Sequence, residues 1–128
     1  MRNFIFFSLM TSFLYACNKP IYDYRSKYVG TYQVIQYNKS WSGQAYSYDT
    51  SYYDIKVERS DEKYYVNFTS DNGETNYLLE KDGTIHYKSP DWHYQIEGEF
   101  NTKSKFTIIG GYYGLGGGTS FTSIGTKK

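Results

Sequence analysis

His86 and His93 are the only imidazoles in the chain, and each sits in a stretch where apolar and polar residues alternate. They fall on adjacent predicted strands, on the polar sides Thr84/His86/Lys88 and His93/Gln95/Glu97, with Asp91 near. Two imidazoles and a carboxylate are a minimal zinc set. No cysteine accompanies them and no H-E-x-x-H pattern occurs, so they read as solvated strand residues and not as a metal site. Glu97 and Glu99 lie two apart on one strand and so face the same way. Acid–base work by paired carboxylates needs a cleft between them; two outward neighbours make a solvated stripe. The glycine-rich stretch from Gly111 to Gly118 lacks the G-x-x-x-x-G-K-S/T spacing. It joins two predicted strands instead of opening a helix, so it forms no phosphate cradle. No serine occupies a G-x-S-x-G setting. The expectation is a protein that is not an enzyme and uses no cofactor.

Cys17 is the only cysteine. It closes an apolar run from Phe4 to Leu14, preceded by Met1-Arg2-Asn3 with one positive charge and no acid. The run is shorter than the about 20 residues that span a bilayer. A charged start, a short apolar core and a small residue, Ala16, before a break point form a secretory signal peptide. Leu14-Tyr15-Ala16-Cys17 resembles the bacterial lipobox, whose usual form is Leu, a small residue, Ala or Gly, then Cys. Tyr15 stands where that motif has a smaller side chain. The resemblance implies that Cys17 receives a diacylglyceryl group on sulfur, becomes the new N-terminus and is acylated on nitrogen. Two or more acyl chains anchor stably, whereas one binds only marginally. The expected organisation is a signal peptide over residues 1–16, a lipid-anchored tether over 17–27 and one domain over 28–128. The expected location is the bacterial cell envelope, at the outer membrane on its periplasmic or surface side.

Removing residues 1–16 from the 128-residue chain leaves 112, enough for one small domain. Arg2 is the only charge lost, so 13 basic and 13 acidic side chains remain and the formal net charge is zero. Lys56, Arg59 and Lys63 are interleaved with Asp54, Glu58, Asp61 and Glu62. That pattern is a solvated face, and it excludes the basic footprint of a nucleic-acid binder. One cysteine leaves no disulfide, so core and backbone ladder must hold the domain. The chain contains 17 tyrosines, 16 of them after the leader. Tyrosine favours strands, and the strong helix formers Leu and Ala are scarce beyond Cys17.

The elements follow from the period of two. Residues 29–37 form a first strand, with Tyr32 and Val34 on one face and Ile35 and Tyr37 on the other. Residues 38–50 read as a polar loop, with a short strand within it as the alternative. Tyr53, Ile55 and Val57 alternate with Asp54, Lys56 and Glu58 without error. Tyr64, Val66 and Phe68 share a face of the next strand. Asp71-Asn72-Gly73 and Lys81-Asp82-Gly83 are tight turns, because glycine there supplies positive φ. Ser89-Pro90-Asp91-Trp92 interrupts the ladder, since proline cannot donate to it. Tyr94, Ile96, Gly98 and Phe100 face inward, and strands follow over 105–110 and 119–125. About eight strands with short connections make an antiparallel meander, which closes most simply into an up-and-down barrel. An open twisted sheet or a sandwich is the alternative.

Val29-Gly30-Thr31-Tyr32, Asp82-Gly83-Thr84-Ile85, Ile96-Glu97-Gly98-Glu99-Phe100 and a Gly-rich last hairpin are similar to the small lipocalin-like lipoproteins of Bacteroidetes. That resemblance implies a lipocalin-like barrel and no single activity. Trp41, Tyr46, Tyr48, Trp92, Tyr112 and Tyr113 fall in predicted loops. If alternate loops share one end, these rings gather at a rim, where they stack on apolar or sugar faces. The expected function is membrane-anchored, non-catalytic binding of a small apolar or sugar-like ligand or of an envelope partner. The alternative is a surface lipoprotein acting through protein contact, as an enzyme inhibitor or a structural protein.

Overall fold

The computed structural model describes residues 22–87 and 91–128. The leader, Cys17 and Pro90 lie outside these residues. Eight antiparallel strands close into a barrel in chain order, from β1 (Gly30–Ser42) through β2 (Ala45–Arg59), β3 (Tyr65–Ser70), β4 (Gly73–Leu79), β5 (Thr84–His86), β6 (Tyr94–Thr102) and β7 (Lys105–Gly114) to β8 (Gly117–Lys127). β8 pairs back onto β1, from Tyr32 opposite Lys127 to Ser42 opposite Gly117. The fold is therefore a lipocalin-like small barrel, and the open-sheet and sandwich alternatives fall away.

The alternation read from the sequence sets the inner face. Tyr32, Val34, Val57, Val66, Phe68, Leu79, Ile85, Phe100 and Phe106 are all buried at one end of the barrel. Phe68 packs edge-on to Phe106 with ring centroids 5.2 Å apart, and Tyr32 lies 5.2 Å from Phe106. Room for these rings comes from small residues across the interior. A Cβ on Gly125 would run into the Phe106 ring, so only glycine fits beneath it.

Residues 22–27, expected in the tether, belong in part to a stopper. A 3-10 helix over Tyr24–Tyr28 seals the packed end. Tyr28 stacks on Phe100 at 4.3 Å, and the Tyr32 hydroxyl donates to the Tyr28 carbonyl at 2.7 Å. Asp23 caps the helix by accepting from the Arg25 backbone N–H at 3.0 Å. The Arg25 guanidinium donates to the carbonyls of Ser60, Glu62 and Tyr65 at 3.1, 2.9 and 2.7 Å. It thereby ties the stopper to the β2–β3 turn.

Two expected loops are strand. Residues 38–50 extend β1 and β2 into a long hairpin that turns at Gly43, where φ is +60°. Residues 111–114 and 117–118 extend β7 and β8, leaving Leu115-Gly116 as the turn. The first stretch is largely polar and its alternating Tyr46 and Tyr48 face outward, while the second is glycine-rich, so neither shows an inward apolar stripe. Their strand character comes from pairing with each other across β1 and β8. Tyr64 does not share the inner face of Val66 and Phe68. It occupies the turn at φ +73° and is about half exposed.

Candidate functional site: a half-filled barrel and its aromatic outer wall

The barrel interior is divided. Beyond Phe68 and Phe106 the packed core gives way to an open cavity of about 340 Å³. Its walls are Tyr53, Ile55, Tyr77, Ile108 and Phe121, with Gln36, Ser51, Ser70, Thr75 and Ser123 among them. The mouth lies at the end of the barrel opposite the stopper, near Asn72, Gly73 and Glu74. Among the described residues no lysine, arginine or histidine lines the cavity, and Glu74 is the one acid.

A polar cluster is built into one wall. Gln36 continues the inward phase of Tyr32 and Val34 on β1. Its Oε1 accepts from the Tyr53 hydroxyl at 2.7 Å and from Ser123 Oγ at 2.9 Å. Its Nε2 donates to Asn38 Oδ1 at 2.7 Å, and Asn38 Nδ2 donates to Ser51 Oγ at 3.3 Å. The carboxamide is thus held in one orientation from β1, β2 and β8. Across the cavity, burial pushes the Tyr77 phenol up to about 12. Burial also raises Tyr32, deeper in the core. These phenols stay neutral at ordinary pH and present rings and hydroxyls, not charge.

The six aromatic residues singled out in the sequence all lie toward the open end, but none lines this cavity. They form two groups. Trp92, 78% exposed, stacks on His93 at 3.6 Å, and the His93 ring lies 5.7 Å from Tyr112. Trp41, Tyr46, Tyr48 and Tyr113 lie on the outer wall. Trp41 meets Tyr113 at 5.9 Å and covers Gly118, and Lys39 Nζ sits 4.9 Å from the Tyr46 ring and 5.9 Å from Tyr48.

Strand register shows how far that wall extends. Four rows run across β2, β1, β8 and β7: Tyr52–Ile35–Ile124–Thr107, Thr50–Tyr37–Thr122–Ile109, Tyr48–Lys39–Ser120–Gly111 and Tyr46–Trp41–Gly118–Tyr113. Of these sixteen positions only Lys39 carries a charge. Tyr48 and Tyr52 are 72% and 70% exposed. The face is almost uncharged and mixes tyrosine, tryptophan and isoleucine with threonine, serine and glycine.

The two histidines are apart in role. His86 lies opposite Glu97 on the outer face of β5, while His93 Nδ1 is 2.9 Å from Asp91 Oδ1 at the rim. The His93 backbone N–H also holds the Asp91 carboxyl below its usual range. Among the described residues no group of three or more His, Cys, Asp or Glu side chains is placed to hold a metal ion. Glu97 and Glu99 are both exposed on the outside of β6. Among the described residues no helix is long and apolar enough to cross a membrane.

Sequence reasoning missed the Gln36 cluster. The signal was present as a polar residue at an inward position of β1, continuing the phase of Tyr32 and Val34. Comparison with protein-family models, with curated proteins and with solved structures gives no match.

Proposed function

We propose that this is a lipid-anchored, non-catalytic binding protein of the bacterial cell envelope, whose barrel holds a small uncharged ligand with an apolar or sugar-like body. The observation that carries this reading is the divided interior: a dry core and stopper at one end, and an aromatic cavity with an oriented carboxamide at the other. Among the described residues a carboxylate or phosphate would find no counter-charge in this cavity, and would enter at a large desolvation cost. A neutral ligand stacks on Tyr53, Tyr77 or Phe121 and hydrogen-bonds to the neutral wall. Cys17, after a leader that resembles the lipoprotein type, supplies the anchor.

The test is native mass spectrometry of the full protein extracted from its own host membrane. A co-purifying mass, released on unfolding and lost in a Gln36→Leu, Tyr53→Phe double variant, is the expected result. Repeated extraction without any bound mass would overturn the ligand. Cells fed labelled palmitate should label the protein, and Cys17→Ser should abolish the label; a labelled serine variant refutes the anchor.

The sixteen-position outer face favours a second reading, action through contact with another envelope protein. A photo-crosslinker placed at Tyr52 in living cells tests it. The expected outcome is one discrete adduct, lost when Tyr37 and Tyr48 are replaced by serine.

A further inference from the structure

We infer that a second copy of this chain docks on the free edge of β2, pairing antiparallel about Tyr48 to make a two-fold dimer. β2 pairs with β1 over Ala45–Val57 but with β3 only over Lys56–Arg59. Among the described residues, no strand pairs the other edge of 45–55. At about 3.3 Å per residue this is roughly 36 Å of open ladder. Natural edge strands of this length are guarded by charges, proline or a bulge, and the one charge within residues 45–51 is Asp49. Residues 45–51, Ala-Tyr-Ser-Tyr-Asp-Thr-Ser, contain neither lysine nor proline, and their register with β1 runs without a shift.

The edge complements itself. Residues directly opposite in an antiparallel pair share a face, so an exposed tyrosine must meet an even-numbered mate. Centring the pair on Asp49 would oppose two carboxylates, which disfavours that register. Centring on Tyr48 sets Tyr48 against Tyr48, Tyr46 against Thr50 and the Ser47 hydroxyl against the Asp49 carboxylate. It also keeps the partner's hairpin tip short of Ile55, where the end of β3 at Ser70 closes the edge. Tyr46 and Tyr48 are 60% and 72% exposed, so their rings are available to the partner. The contact rests on the β2 edge alone, although Ser51 within it also lines the cavity, so its failure leaves the case for ligand binding untouched.

Disulfide trapping in the full chain in detergent tests the register. Cys17 is the only native cysteine, so the unsubstituted protein is the control for any cross-link made there. Opposed residues in such a pair are about 4.5–5.5 Å apart, within disulfide reach. Under mild oxidation Tyr48→Cys should give a covalent dimer. Tyr46→Cys should cross-link to Thr50→Cys when the two are mixed, and Thr126→Cys on β8 should not cross-link. Sedimentation of the cysteine-unsubstituted chain should show a dimer that Tyr48→Lys weakens roughly tenfold, by opposing two cations on the axis. A monomer at all concentrations, or cross-linking at Thr126→Cys as strong as at Tyr48→Cys, overturns the dimer.

Discussion

At the scale of single residues, the interior is governed by groups that stay neutral. Tyr77 is raised from its ordinary value of 10.0 to about 12 chiefly because burial disfavours the phenolate. The unfolded chain therefore loses this proton first as the pH rises. Stability is fully present below about pH 10 and declines between pH 10 and 12, where the unfolded state binds fewer protons. Tyr77→Phe should flatten that alkaline decline in a denaturant titration, and a wild-type curve unchanged to pH 12 would contradict the burial. The opposite sign holds for Asp23, which the Arg25 side-chain hydrogen bond lowers from 3.8 to about 2. Its contribution is present above pH 3.8 and is lost as the pH falls towards 2. Asp23→Asn should therefore be less stable than wild type at pH 6, with the gap closing in acid.

At the scale of elements, two junctions decide whether the barrel closes well. Arg25 satisfies three carbonyls of the β2–β3 connection from a short 3-10 helix. Arg25→Ala leaves them without this donor and frees the stopper, at a cost of about 2–3 kcal/mol, measured by urea unfolding. Tyr24 adds a second tie by donating its hydroxyl to the Leu79 carbonyl at 2.5 Å. The other junction is β7 on β8, where Phe106 lies over Gly125. Gly125→Ala forces the Phe106 ring from its place and should destabilise the fold by about 1–3 kcal/mol. Gly43→Ala is a control of another kind. Nothing packs there, so its cost comes only from φ +60°.

At the scale of the whole molecule, the β1–β2 hairpin and the β7–β8 hairpin rise together as one wall on one side of the mouth. The short β3, β4 and β5 make the low side. This asymmetry gives the protein two surfaces of different chemistry, an inward cavity with a polar wall and an outward face rich in tyrosine. It also creates the free β2 edge, because β3 ends before it can cover residues 45–55. Antiparallel pairing of two copies sends their stoppers to opposite ends of the joined sheet.

The sequence by itself determined which side of most strands turns inward, because in a pleated strand that choice is local: Tyr53, Ile55 and Val57, and Tyr94 to Phe100, keep a period of two. It also determined the Asn72-Gly73 and Asp82-Gly83 turns, whose glycines adopt φ +129° and +98°. Only the tertiary structure decided that residues 38–50 are strand, since their hydrogen bonds come from each other and from β8, some 80 residues away. It also decided which tyrosines see the cavity. A tyrosine on an inward phase is core near the stopper, as Tyr32 is, and cavity wall higher up, as Tyr53 is. That difference depends on depth along the closed barrel. Depth is fixed by pairing of β1 with β8 and by the stopper, long-range contacts that no local pattern contains.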